Sequence, residues 1–303
     1  MKRTWLAIGI ILLFVGTCII PAIAQDTEKP LPTSRGNTIY VDDDNMEGPW
    51  DGTSEHPYQF INDGVNAADI SDTVYVLKGL YQEGYIHIEK TIHLIGENRN
   101  QTIIDGGGHS WIFIINADYV LVQGFTLQNC DTFDYPYDAA IWIRTGSFVT
   151  IAGNRFIDND YASYVYSNHN KFSNNIFLGN QHGIWLKNDV GFNIIYHNHF
   201  EGNNPQHWSD KYDLYIQGPL SPFNIIMKNN FIDNSPHVYF MCGRFTQWIR
   251  NYWSDNTGGP HRIYGIIGFL PKGIGPGSDV ITIHGYQVDW FPAQEPYDIP
   301  GMR

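Results

Sequence analysis

The chain has 303 residues, a formal net charge of −13, and 16% charged against 15% aromatic residues. An acidic surface with few Lys and Arg residues argues against nucleic acid or an anionic membrane surface as a partner. Three cysteines are too few for a disulfide framework, so the apolar core must hold the fold together.

The N-terminus carries the pattern of a secretory signal. Lys2 and Arg3 precede an uncharged apolar run from Trp5 to Ile20, and Ala22-Ile23-Ala24 offers small residues at a cleavage site. We predict a signal peptide over residues 1–24 and a linker over 25–37, and therefore a secreted or cell-surface location. The alternative is an uncleaved membrane anchor, because the stretch up to Ala24 is long enough to span a bilayer.

The next elements are predicted to cover the N-terminal end of a solenoid. Residues 38–73 contain one plausible amphipathic helix, Gln59–Ala68, which would plug that end. Such a plug is expected because the open end of a stack of strands must be shielded from edge pairing.

An internal repeat dominates the rest of the chain. An aromatic residue recurs with spacings of 21 to 23 residues, or of 31 where a loop of about nine residues is inserted. The repeated positions are Phe125, Phe156, Phe177, Phe200, Phe231 and Trp253. Three residues after each stands Asn or Gln, preceded in most coils by Asp or Gly, which indicates a turn at a constant place.

Short strands with alternating apolar residues, such as Ile141–Ile143 and Ile184–Leu186, lie between these turns. This pattern predicts an all-β protein, a single-stranded right-handed parallel β-helix of about 22-residue coils over residues 38–257. Like residues then stack on like residues, and the Asn side chains are expected to share hydrogen bonds. After Trp253 the repeat ends, and residues 258–303 are predicted to form an irregular C-terminal cap that contains a strand near Val280–His284.

Several segments resemble a known group of proteins. Ile39–Asn45, Pro57–Ile61, Thr91–Gly96 and Asn251–Asp255 are similar to prokaryotic, especially archaeal, surface β-helix proteins. These proteins belong to the pectin lyase-like superfamily and are often labelled NosD-like, after a periplasmic copper-associated protein. The resemblance implies the β-helix fold and a surface location over roughly residues 38–299.

Strand alternation predicts an outward aromatic column with one ring per coil. Its members are Trp142, Tyr164, Trp185, Tyr215 and Tyr239, and Trp111 or Phe113 extends it. Sugar rings bury their C–H faces well on aromatic rings, so the column is interpreted as a polysaccharide-binding stripe. The alternative is that the rings stack on one another, or lie under loops near residues 131–138 and 205–211, and only stabilise the sheet.

An enzymatic alternative uses polar residues on the same face. Arg144, Tyr166, Lys187 and Asp213 are the candidate catalytic residues of a polysaccharide lyase or epimerase. β-Elimination on a uronic acid needs a base and a cation that neutralises the carboxylate, which Tyr166 and Lys187 offer. A glycosidase is disfavoured because it requires two nearby carboxylates, and this face offers only Asp213.

Metal-binding patterns are weak in the sequence. Asp42-Asp43-Asp44 offers oxygen ligands for Ca²⁺, but without calcium-loop spacing. His237 and Met241 are predicted to point outward and Cys242 inward, so they do not form a copper site. We therefore expect no cofactor, with Ca²⁺ as the alternative.

The preferred hypothesis is a non-catalytic, exported protein that binds polysaccharide along the aromatic column as a monomer. The uronate-directed lyase or epimerase is the second hypothesis. A purely structural envelope protein is the third, and it predicts that replacing Trp185 by Ala changes stability without changing binding.

Overall fold

The computed structural model describes residues 36–130, 138–203, 212–218, 222–233, 237–241, 245–271 and 280–302. The predicted signal peptide, most of the linker, most of both inserted loops and Cys242 lie outside these ranges. No helix within them is long and apolar enough to cross a bilayer.

Three parallel sheets wind along the described part of the chain, and each coil adds one strand to each sheet. Sheet 1 contains β1 (Thr38–Val41), β2 (Thr73–Val76), β5 (His93–Gly96), β8 (Leu121–Gln123), β11 (Thr150–Ala152), β14 (Lys171–Ser173), β17 (Ile194–Tyr196), β20 (Ile225–Met227) and β23 (Gln247–Ile249). Sheet 2 contains β3 (Gly79–Tyr81), β6 (Thr102–Asp105), β9 (Thr126–Gln128), β12 (Arg155–Ile157), β15 (Ile176–Leu178), β18 (His199–Glu201), β21 (Asn230–Ile232) and β24 (Tyr252–Trp253). Sheet 3 contains β4 (Ile86–Ile88), β7 (Trp111–Ile115), β10 (Ala139–Ile143), β13 (Tyr161–Val165), β16 (His182–Leu186), β19 (Leu214–Gln217), β22 (Val238–Met241), β25 (His261–Pro271) and β26 (Val280–Asp289). This arrangement is the predicted right-handed parallel β-helix.

The core is a set of side-chain stacks, one of which is aromatic and lies under sheet 2. Phe156, Phe177, Phe200, Phe231 and Trp253 are buried and stack with ring centroids 4.4–5.0 Å apart. The prediction that Phe125 is the first member of this stack was wrong by two residues. The Cα partner of Phe156 is Leu127, and Phe125 instead meets Phe113 edge to face.

The corners between sheets repeat one two-residue unit. A residue with positive φ is followed by a fully buried Asn, as in Asp158-Asn159, His197-Asn198 and Phe192-Asn193. Each such Asn accepts a hydrogen bond from the backbone N–H of its counterpart one coil earlier, and its own amide donates onward. The predicted hydrogen bonding between stacked Asn residues is therefore present, with one ladder at each corner: Asn159–Asn180–Asn203, Asn154–Asn175–Asn198–Asn229–Asn251 and Asn170–Asn193–Asn224.

The N-terminal end is covered by the predicted helix, here α1 (Ile61–Ala67). Its buried residues Ile61, Gly64 and Val65 join the core. At Gly64 an added Cβ would lie 2.6 Å from Val41 Cγ2, so only glycine lets α1 approach the first strand this closely.

The C-terminal end differs from the irregular cap that was predicted. Strands β25 and β26 form a long antiparallel hairpin, and β25 continues sheet 3 by pairing in parallel with β22. The hairpin also terminates an Asn ladder, because Asp289 Oδ2 accepts from Asn251 N at 2.8 Å and from Asn251 Nδ2 at 3.1 Å. The predicted strand near Val280–His284 is the first half of β26. The Gly- and Pro-rich composition concealed β25, since Gly in a strand is read as a breaker.

Candidate functional site

The predicted outward column lies on sheet 3 in a continuous register. Trp142 pairs with Tyr164, Tyr164 with Trp185, Trp185 with Tyr215, and Tyr215 with Tyr239. The neighbouring residues predicted to point inward are buried in every coil. Of the two proposed extensions, Phe113 is in the core, whereas the ring of Trp111 lies 5.1 Å from that of Trp142.

The column is not uniformly exposed, which agrees in part with the alternative that its rings stack on one another. Tyr164 is 2% and Trp185 9% exposed, whereas Trp142, Tyr215 and Tyr239 are half-buried. Burial raises the pKa of Tyr215 to about 12, so its phenol stays neutral at ordinary pH. Tyr164 and Trp185 therefore form the buried floor of the column, and the other three rings are the ones that solvent reaches.

A second line of rings on the same sheet covers this floor. Tyr161 and His182 stack at 4.1 Å, and Tyr161 also stacks on Trp185 at 5.3 Å. Tyr212 stacks on Tyr239 at 5.1 Å. Together with the column and with Trp111 and Tyr166, these rings form what we call the aromatic face.

The sequence prediction missed this second line because strict alternation assigns its residues to the interior. Trp111, Tyr161, His182 and Tyr212 each stand three residues before the column position of their coil. In the coil of Trp142, both Ala140 and Ile141 belong to the core, so alternation is interrupted there. The recurrence of rings three residues before the column position was the sequence signal that could have revealed this second line.

Cationic and phenolic side chains follow the carboxyl ends of successive strands. Arg144 is exposed and lies 5.4 Å from the Trp142 ring centroid. Lys187 Nζ lies 4.7 Å from the Trp185 ring centroid and donates to Tyr164 Oη at 2.6 Å. The hydroxyls of Tyr164 and Tyr166 are 3.1 Å apart. Arg144, Tyr166 and Lys187 are thus brought together, as predicted from their spacing, in a cationic edge of the aromatic face.

Asp213 is not part of this edge, in contrast to the prediction. It precedes strand β19, whereas the other three candidates follow their strands, so it lies at the opposite edge of a parallel sheet. It is 1% exposed and accepts from Asn203 Nδ2 at 2.7 Å. The predicted outward orientation was wrong because Asp213 takes the place after Asn203 at the end of an asparagine ladder.

Two of the candidate metal ligands accept hydrogen bonds from backbone N–H groups. Asp43 Oδ2 accepts from Leu80 N at 2.9 Å, and Asp42 Oδ1 accepts from Asp44 N at 3.1 Å. In the described ranges, no group of three or more His, Cys, Asp or Glu side chains is arranged to hold a metal ion.

A further aromatic stack runs along one corner of the solenoid. It consists of Tyr119, Phe148, His169, Phe192, Phe223 and Phe245, all exposed and all at positive φ. Neighbouring ring centroids are 4.8–5.5 Å apart and the rings are close to parallel. Because the rings cover one another's faces, this corner stack offers mainly ring edges to solvent and is less suited to sugar stacking than the aromatic face.

Comparisons with known proteins agree with this architecture. The family described as right handed beta helix region matches residues 95–204. The chain has the fold of a right-handed β-helix. No curated protein matches it.

Solved structures similar to the chain include carbohydrate-active enzymes. Pectin methylesterase PemA from Erwinia chrysanthemi is 15% identical over 81% of this chain and 84% of its own, with a TM-score of 0.50. Pectin methylesterase from Yersinia enterocolitica is 14% identical over 76% and 86%, with a TM-score of 0.49. A mannuronic acid specific family 6 polysaccharide lyase from human gut microbiota is 14% identical over 71% and 53%, with a TM-score of 0.48. At these identities the likeness shows the fold alone.

Proposed function

We propose that the protein is an exported polysaccharide-binding protein and that the aromatic face is its binding surface. The observation that carries this proposal is the register of sheet 3, which places one aromatic ring per coil in line along the solenoid axis. A polymer parallel to that axis meets several rings in succession, and each contact buries apolar C–H surface. The N-terminal signal pattern and the resemblance to NosD-like surface proteins support export.

The partly exposed rings bind the ligand directly. Trp142 is the best placed of them, because its half-buried ring lies beside Trp111 and next to the exposed Arg144. Tyr215 and Tyr239 continue the contact two and three coils beyond Tyr164.

The cationic edge gives the surface a preference for acidic chains. Arg144 and Lys187 place positive charge over the rings in a protein whose net charge is −13. A uronate carboxylate can pair with either cation while its sugar ring rests on the neighbouring aromatic ring. We therefore expect uronate-containing polymers to bind more tightly than neutral ones, and added salt to reduce the difference.

Replacing Trp142 by Ala tests the proposal. Loss of one stacking ring should weaken polysaccharide binding about tenfold, whereas Trp142→Phe, which keeps a ring, should weaken it less. Binding is measured by titration calorimetry with polymers that a glycan array first identifies. Phe192→Ala is the matched control, because it removes an exposed stacked ring from the corner stack and should leave affinity unchanged. Absence of any glycan ligand, or equal affinity of Trp142→Ala and Phe192→Ala, would refute this surface.

A uronate lyase is a second candidate because Lys187, Tyr164 and Tyr166 are hydrogen-bonded in one group. Tyr166 would remove the C5 proton and Lys187 would neutralise the carboxylate, while the C4–O bond breaks, a C4=C5 double bond forms and the leaving oxygen takes a proton from solvent. The unsaturated product absorbs in the ultraviolet, so absorbance during incubation with uronate polymers measures the reaction. Product formation that Lys187→Met abolishes would support the lyase, and no absorbance change with the wild-type protein would eliminate it.

A further inference from the structure

A cavity of about 580 Å³ opens where the aromatic face meets the C-terminal hairpin. Tyr212 and Tyr239 of the aromatic face line one side of it, and Trp253, Asp255 and His261 line the other, with His237 between them. Its volume is in the range of about 300–1,000 Å³ that is usual for ligand sites. We call it the end pocket.

His237 is held rigidly at this pocket. Its ring is 3% exposed, and its Nδ1 lies 3.0 Å from Asp213 Oδ2. Asp213 is itself oriented by the amide of Asn203. In the neutral imidazole, the Nδ1 proton is donated to Asp213, which leaves Nε2 as an acceptor. Nε2 is buried and has no hydrogen-bond partner among the described residues.

The Asp255 carboxylate lies near the imidazole rings of both His237 and His261. Asp255 Oδ1 lies 3.9 Å from His237 Nε2 and 3.9 Å from His261 Nδ1, too far for direct hydrogen bonds. His261 stacks on Trp253 at 4.2 Å, and burial lowers its pKa. The Asp255 side chain is 48% exposed, so it is reachable from solvent. Asp255 is therefore the acceptor that a ligand in the pocket can reach, and the His237–Asp213 pair lies behind it.

We infer that the end pocket binds the terminal unit of a saccharide chain through hydroxyl or amino donors, and that it excludes a terminal uronate. This inference rests on the proposed function. Donors fit because the carboxylate of Asp255 accepts hydrogen bonds from hydroxyl or amino groups that enter the pocket. A uronate carboxylate would meet Asp255 with Asp213 close behind it, which is unfavourable. Arg262, the cation in the lining, lies over the Tyr286 ring.

Continuity with the aromatic face indicates a chain end rather than an isolated small molecule. Tyr239 is the last ring of the column and also lines the pocket, and Tyr212 stacks on it. A polymer that follows the column therefore arrives at the end pocket, where β25 continues the sheet and the hairpin's Tyr264 lines the far side.

The test compares single sugars on the full mature chain and its variants. The probes are glucosamine, methyl glucoside and glucuronate with their galactose counterparts, followed by ligand-observed NMR. We expect at least one amino or neutral sugar to bind, glucuronate and galacturonate not to bind at the pocket, and Asp255→Asn to weaken binding about tenfold. Asp158→Asn changes an exposed turn carboxylate in the same way and should have no effect. Phe192→Ala, which removes a ring of the corner stack, should leave single-sugar binding unchanged.

The possible results separate the two proposals. If polymers bind but no single sugar does, or if Asp255→Asn matches Asp158→Asn, the end pocket is refuted and the aromatic face stands. If single sugars bind and Asp255→Asn abolishes this, while Trp142→Ala leaves polymer affinity intact, the end pocket is supported and the aromatic face is refuted.

Discussion

At the scale of single residues, several histidines lie in surroundings that disfavour their charged form. Burial lowers the pKa of His93, and burial followed by the charge of Lys228 lowers the pKa of His197. Burial is also the main cause of the lowered pKa of His261. Each group therefore binds a proton less readily in the folded protein than in the unfolded chain, whose histidines titrate near pH 6.5.

The free energy of unfolding should consequently fall on acidification. These histidines contribute stability that is fully present above about pH 6.5 and is lost as the pH falls below it, because the unfolded chain then binds more protons. Chemical denaturation between about pH 8 and about pH 5.5 measures the slope. His93→Gln should reduce this slope, whereas His87→Gln, at an exposed histidine, should not. A flat profile for the wild-type protein would contradict the expectation.

At the scale of elements, the corners are specified by pairs of a positive-φ residue and a buried Asn. The Asn side chain satisfies backbone groups that the turn leaves unpaired, and its own counterpart in the next coil satisfies it in turn. Asn198, for example, donates to Phe172 O at 2.9 Å and to Asn229 Oδ1 at 3.0 Å, and it accepts from Asn175 N at 3.0 Å. Each rung therefore stabilises two coils.

Replacing Asn198 by Ala should lower the free energy of unfolding by about 3 kcal/mol, because several buried polar groups lose their partners at once. Equilibrium denaturation measures the change. Asn66→Ala, at an exposed position in α1, removes the same amide and should be neutral or slightly stabilising, since Ala favours helix. Equal stability of the two variants would show that the ladder contributes nothing.

The rings of the aromatic face also act at this scale, because they pack on one another before any ligand is present. Trp185→Ala should destabilise the protein by about 3 kcal/mol, since Trp185 is nearly buried beneath Tyr161 and Tyr215. Thermal unfolding of Trp185→Ala and of Trp142→Ala should show the larger loss of stability for Trp185→Ala, because Trp185 is a buried ring and Trp142 a partly exposed one. A larger loss of glycan affinity in correctly folded Trp185→Ala than in Trp142→Ala would contradict that division.

At the scale of the whole molecule, the solenoid depends on its two end caps. Helix α1 covers the first coil through Gly64, and the β25–β26 hairpin covers the last through Asp289. An uncovered end exposes strand edges and core side chains, which favours association between chains.

Gly64→Ala should therefore destabilise the molecule by about 2 kcal/mol, even though Ala is the better helix former. The added Cβ would lie 2.6 Å from Val41 Cγ2 and push α1 away from the core. Melting temperature and light scattering on heating report stability and association. A melting temperature above that of the wild-type protein would show that helix propensity outweighs the contact with Val41.

The sequence by itself determined the repeat, the fold, the helical plug and the alignment of the outward column. Each of these follows from local periodicity, because strand alternation and turn residues act over a few positions. The grouping of Arg144, Tyr166 and Lys187 followed from the same register.

Only the tertiary structure decided which side chains are buried by their neighbours. Tyr164 and Trp185 are buried by rings such as Tyr161, which lies on the aromatic face although strict alternation assigns it to the interior. The buried position of Asp213 depends on an asparagine ladder that ends at Asn203 and on His237 of the following coil. The C-terminal hairpin forms because β22 offers an unpaired edge to β25. Most of these contacts join residues of neighbouring coils, and a period read along the chain carries no information about how side chains fill the space between coils.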